Sequence, residues 1–225
     1  LFFVELFYGS DLAKKVRKKL GRESSMKTSE LDELQKTLLP FVQKLEELGI
    51  PYAIGGSIAS SVFGAGRSTQ DIDMVVPLTK DHAALLEKSL EDIFYIDREM
   101  ILEAIQNHGS FNLVHLQTMM KIDVFILKER SFDQTSFQRR VLEKISTEST
   151  LDFYLTSPED IILSKLEWYK LGGETSERQW KDIVGVLKVQ RDLDFKYLKK
   201  WAKEIEVEDL LKKVLNEITS IHGGI

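Results

Sequence analysis

The apolar positions change period along this chain, and the changes mark out its elements. From Ser29, the residues Leu31, Leu34, Leu38, Leu39, Val42, Leu45 and Leu48 recur at helical spacing, predicting an amphipathic helix that Gly49 ends and Pro40 kinks or divides. A short apolar strand, 52–54, runs into Gly55, Gly56 and Ser57 and then a helix of small residues. After a polar turn comes a second strand, with Asp71 and Asp73 separated only by Ile72 and with Pro77 as its stop. Next are an amphipathic helix opening at Thr79 or Lys80, a helix over 98–107, and strands over 111–116 and 121–127. Two short extended pieces are expected around 141–145 and 151–155. Ser157-Pro158-Glu159-Asp160 then reads as cap, first-turn proline and acids, opening a helix that runs to Gly172. Three further helices follow, around Trp180 to Leu187, over 195–205 and over 207–218. The class is therefore α/β (α+β): strands alternating with helices, then an all-helical C-terminal part. The expected division is an extension over 1–25, an α/β domain over 26–156 and a helical domain over 157–225.

Composition changes this picture in few places. The 225 residues, 43% hydrophobic and 30% charged, are those of a globular protein, and no apolar run approaches the roughly 20 residues that cross a bilayer. Cysteine is absent, which excludes disulfides, thiolate zinc sites and cysteine nucleophiles and fits a cytoplasmic setting. The net charge of −5 argues against a generally basic nucleic-acid surface. Residues 1–25 carry six bases and three acids, a net of +3 that leaves −8 on the remainder. They read either as a non-native or disordered extension or as a basic helix that touches RNA or a partner. Their charge follows the apolar segment, the reverse of a signal peptide.

Candidate chemistry centres on the second strand. Strand residues two apart project from one face, so Asp71 and Asp73 point together. Asp123 is the one charge inside the apolar run 122–127, and a carboxylate buried there needs a cation. Another Asp-x-Asp, Asp192-Leu193-Asp194, lies between helices with nothing near it to bind. Paired carboxylates beside a glycine turn at a helix start point to a divalent metal holding a phosphate-rich ligand. Gly56 lets backbone approach a triphosphate, and Ser57 supplies an amide and a hydroxyl at a helix N-terminus. Arg67, in the turn before the aspartates, either touches phosphate or acceptor or is simply solvated.

GGSIASSVFGAGRSTQDIDMVV, together with Asp123 in KIDVF, resembles the signature of the nucleotidyltransferase-fold superfamily built around DNA polymerase beta. Within it the chain is most similar to small bacterial proteins grouped with the type IV abortive-infection toxins, whose helical C-terminal half carries P-E-D-h-h-h-x-K and a later basic-acidic pair. Pro158-Glu159-Asp160 through Lys165, and Arg178 through Lys181-Asp182, match that arrangement. The resemblance implies a mixed sheet flanked by helices, followed by an all-helical C-terminal domain, and transfer of a nucleoside monophosphate from a nucleoside triphosphate to an acceptor hydroxyl. It also implies that Lys165 reaches the phosphates, while Asp182 orients Lys165 or the nucleotide; otherwise Lys165 is an exposed helix lysine and Asp182 a surface partner of Arg178. Physical argument agrees: two Mg²⁺ ions (or Mn²⁺) about 3.5–4 Å apart clamp the attacking and leaving oxygens, with Asp71 and Asp73 bridging them and Asp123 completing the ion nearer the acceptor. The acceptor is an RNA 3′ end, a protein or a small molecule. A toxin role implies an antitoxin partner. The competing class is a non-catalytic module that keeps the fold to bind nucleotide or a partner.

Other candidates carry less. His82, His108, His115 and His222 have no metal-ligand spacing, and Ser60, Ser61 and Ser68 lack a histidine base in any recognisable arrangement. Trp168, Tyr169 and Trp180, at helical spacing, read as core rather than as stacking surfaces. The glycine turn lacks G-x-G-x-x-G spacing, which excludes a dinucleotide-binding reading. Lys121, Lys128, Arg130, Arg139 and Arg140 form a local basic strip suited to a short RNA end.

Overall fold

A computed structural model of the chain describes residues 28–64, 66, 69, 71–146, 149 and 151–222. Residues 1–25 and Arg67 lie outside the described residues.

Among the described residues the chain opens with α1 (Thr28–Glu47), which contains Pro40 without interruption. Gly49, at φ +66°, turns the chain into β1 (Ala53–Ile54), from which α2 (Gly56–Phe63) leads to β2 (Asp71–Val76). Next come α3 (Lys80–Leu90), β3 (Phe94–Tyr95), α4 (Arg98–Asn107), β4 (Ser110–His115) and β5 (Lys121–Ile126). Helix α5 (Ser131–Gln138), β6 (Val141–Lys144) and β7 (Asp152–Leu155) precede the C-terminal helices. Those are α6 (Pro158–Leu171), α7 (Glu177–Val189), α8 (Phe195–Glu204) and α9 (Glu208–His222).

The helix starts form as their sequences dictate. Asp160 N–H donates to the Ser157 hydroxyl, with Pro158 in the first turn of α6, and Asp194 caps α8 by accepting from Tyr197 N–H. Thr79 and His82 form a reciprocal cap on α3. Two elements escape the sequence patterns. Helix α5 buries only Phe132 and Phe137, five residues apart, so it has no stripe at three- or four-residue spacing. Strand β3 is two residues long and exists by pairing with β4.

Among the described residues, seven strands make one mixed sheet in the order β3-β4-β5-β2-β1-β7-β6. Strands β2 and β5 run parallel at its centre, and β1 is antiparallel to β2 and parallel to β7. Alternation divides β2: Ile72, Met74 and Val76 are fully buried, while Asp71, Asp73 and Val75 occupy the other, less covered face. Phe41 of α1 meets Phe94 of β3 edge to face, and Phe94 meets buried His115, tying α1 to the apolar side. Helices α6 and α7 pack on each other and on α2, so the C-terminal helices lie directly against the glycine turn. Where α2 ends, a Cβ on Gly64 would fall 2.8 Å from Val186 N, so the α2–α7 contact closes only on glycine.

Candidate active site

The register of the central strands assembles the acidic half of the site. Asp73 stands opposite Asp123 across the parallel β2–β5 pair, and Asp71 stands opposite Lys121. Period-two alternation turns all four side chains to the same face. Lys121 Nζ lies 2.9 Å from Asp123 Oδ2 and 3.9 Å from Asp71 Oδ1. The cation that the Asp123 strand requires is therefore Lys121, two residues earlier in the same strand. The bond to Asp123 holds the Lys121 ammonium above its usual range, although the side chain is 40% exposed.

The glycine turn assembles the other half. Gly55 N–H donates to the Asp73 carbonyl at 2.8 Å, clamping the start of α2 to β2. Gly56 has φ +53°, and a Cβ there would stand 1.7 Å from Asp73 Oδ2, so the carboxylate occupies space that only glycine leaves. Burial raises the Asp73 carboxyl above the ordinary carboxylate range; the nearby charge of Asp123 adds to this, while the backbone N–H of Ser57 and the charge of Lys165 oppose it.

Helices α6 and α7 bring the basic groups. Lys165 is buried and donates to Asp182 Oδ2 at 2.9 Å and to Gln179 Oε1 at 3.1 Å. Neither an exposed lysine nor a surface Asp182–Arg178 pair survives this geometry: Asp182 is buried against Lys165, and Arg178 Nη2 instead donates to Ser57 Oγ at 3.3 Å. Gly56, Ser57, Asp71, Asp73, Asp123, Lys165 and Asp182 thus gather around one turn. Gln179 and the placement of Arg178 on Ser57 are additions; Arg178 stood in the basic-acidic pattern but was paired there with Asp182, and Gln179 had no signal beyond its position one turn before Asp182.

Among the described residues, no three acidic or histidine side chains already stand close enough together to hold an ion. The donor set is nonetheless right in kind: three carboxylates share one face, one of them discouraged from ionising by burial and by its acidic neighbour, with an ammonium standing in as cation.

The basic strip is largely engaged. Arg130 forks onto Asp133 and Glu167, Arg139 pairs with Glu159 at 3.3 Å and lies over the Tyr197 ring, and Arg140 stacks on Phe137 and Tyr154. Of the aromatic residues expected in the core, Tyr169 is buried and Trp180 partly so, but Trp168 is 56% exposed and meets Phe125 edge to face.

No family model matches the chain, and no curated protein does. Among solved structures, ANT(2'')-Ia in complex with adenylyl-2''-tobramycin aligns with a TM-score of 0.52 at 16% identity, over 77% of this chain and 97% of that one. The chain has the nucleotidyltransferase fold. An antigenic nucleotidyltransferase-like protein from Paracoccidioides brasiliensis aligns at 0.44 and 19% identity over 81% of this chain and 92% of its own. Lincomycin-bound LnuA, a lincosamide antibiotic adenylyltransferase, aligns at 0.42 and 14% over 69% and 98%. Among the described residues, no helix is long and apolar enough to cross a membrane.

Proposed function

We propose that the chain is a divalent-metal-dependent nucleotidyltransferase that moves a nucleoside monophosphate from a nucleoside triphosphate such as ATP to an acceptor hydroxyl. One observation carries this reading: Asp71, Asp73 and Asp123 share a sheet face, and Ser57, Lys165 and Arg178 converge on the helix start beside Asp73. Residues 26–156 then form the catalytic domain, and 157–225 a helical domain that supplies Lys165, Arg178 and Asp182.

Asp71, Asp73 and Asp123 would hold Mg²⁺, or Mn²⁺ in its place, and the metal would supply neutralisation of charge on the reacting phosphates. Ser57 offers its amide and hydroxyl to phosphate oxygens at the positive end of α2, and Arg178, already on that hydroxyl, binds the same phosphates. Asp182 and Gln179 fix Lys165, which faces Asp73 and the triphosphate. The acceptor oxygen attacks the α-phosphorus, the bond to pyrophosphate breaks, and the hydroxyl proton passes to a carboxylate oxygen of Asp123.

A small-molecule hydroxyl is the favoured acceptor. Arg130, Arg139 and Arg140 are committed to protein partners, which removes most of the surface an RNA end would use. ANT(2'')-Ia, which shares the fold, is seen with an adenylylated small molecule, and the proposed reaction is of that kind. A toxin restrained by an antitoxin is the wider role, tested by growth arrest on expression and its relief by Asp73→Ala.

The acceptor class is identified by incubating the protein with each α-labelled nucleoside triphosphate, Mg²⁺, and separated RNA, protein and small-molecule fractions of a cell extract. Label in the small-molecule fraction, lost in Asp71→Ala/Asp73→Ala, is expected. Nucleotide binding without label in any fraction would replace the enzyme with a binding module.

A further inference from the structure

Lys121 is the one member of the acidic face whose charge opposes the proposed chemistry. It shares that face because it lies two residues before Asp123 in β5, and the parallel register sets it opposite Asp71. Its Nζ stands between the two strands, 2.9 Å from Asp123 Oδ2 and 3.9 Å from Asp71 Oδ1. An ammonium there does what a cation must do for clustered carboxylates: it offsets their mutual repulsion. Unlike an ion, it is tethered to a flexible four-carbon stem, and with 40% of the side chain exposed it has a route out to solvent.

We infer that Lys121 is a tethered counter-ion that holds the cation position between Asp71 and Asp123 and is displaced when a divalent ion loads. The inference rests on the proposal that these carboxylates form a metal site. It makes Lys121 a positioning residue that weakens cation binding to the free protein. It also couples loading to the triphosphate, whose negative charge gives the released ammonium a new partner. Removing the positive charge while keeping the stem should therefore tighten the site before any nucleotide arrives.

The test is Mn²⁺ binding without nucleotide, read from the free-ion electron paramagnetic resonance signal, for wild type, Lys121→Met and Lys121→Arg. Lys121→Met is expected to bind at least about tenfold more tightly, equivalent to about 1.4 kcal/mol, and Lys121→Arg to stay near wild type. In chelator, Lys121→Met should melt below wild type, and saturating Mn²⁺ should raise its midpoint by more than it raises that of wild type. Lys121→Gln serves if the methionine variant does not fold. Equal Mn²⁺ affinity in wild type and a folded charge-free variant would overturn the role of Lys121 and leave the metal site standing. If neither protein binds Mn²⁺, the inference falls together with the metal-site reading beneath it.

Discussion

Replacing Gly56 by alanine would put a methyl carbon 1.7 Å from Asp73 Oδ2, 2.5 Å from its Cγ and 2.8 Å from its Cβ. Rotating the Asp73 side chain about Cα–Cβ relieves the first two contacts but not the third, so either β2 or the start of α2 must move. The backbone is also at φ +53°, a left-handed conformation that costs an L-residue about 1–2 kcal/mol. Shifts that accommodate an overpacked methyl add about 1–3 kcal/mol. A combined loss of about 3 kcal/mol in a chain of this size lowers the melting midpoint by about 6–12 °C. The carboxylate is displaced from Ser57 and from its place opposite Asp123, and a shift of about 1 Å at a reacting centre reduces rate about a hundredfold. Gly56→Ala should therefore lose both stability, followed by circular dichroism, and label transfer, followed with the acceptor fraction. A variant that melts within about 2 °C of wild type and transfers label at the wild-type rate would refute the claim that glycine here makes room for Asp73.

Three further outcomes follow from the same geometry. Asp73→Asn should abolish transfer yet melt no lower than wild type in chelator, because burial and Asp123 already disfavour the charge; a clear loss of stability would contradict that balance. Lys165→Met should destabilise by about 3–5 kcal/mol by removing the ammonium that Asp182 is buried against, and adding Asp182→Leu should restore most of the stability but not activity, as denaturant titration and label transfer would show. Burial pushes the Tyr52 hydroxyl up to about 12 from its usual 10.0. Because the folded value is raised, this contribution, about 2.7 kcal/mol, is complete below pH 10 and disappears as pH rises through 12. Tyr52→Phe should flatten stability against pH in that window, and an unchanged slope would exclude Tyr52 as its source.

Much of this was legible in the chain because the deciding patterns are short. Asp71 and Asp73 share a face by strand alternation alone, and Ser157-Pro158 opens α6 as written. What the sequence did not show was pairing. That Asp73 lies opposite Asp123, and Lys121 opposite Asp71, depends on the β2–β5 register, which no local pattern encodes. The spacing Lys121-Ile122-Asp123 already held the counter-ion, but period two places a pair on one face without saying that its members touch. Lys165 and Asp182 meet because α6 and α7 cross, a tertiary fact between residues seventeen apart. Trp168 was misread as core because helical spacing identifies an apolar stripe but not its edge, where α6 leaves its ring 56% exposed beside Phe125. Helix α5 and strand β3 were missed for want of any period to read.

The reaction is tested most directly by running ATP labelled at the α-phosphate and ATP labelled at the γ-phosphate in parallel, with Mg²⁺ and the small-molecule fraction. The site described here predicts α-label on the acceptor and γ-label recovered as pyrophosphate, with both signals lost in Asp71→Ala/Asp73→Ala. Recovery of γ-label on the acceptor, or as orthophosphate, would contradict nucleotidyl transfer at these carboxylates.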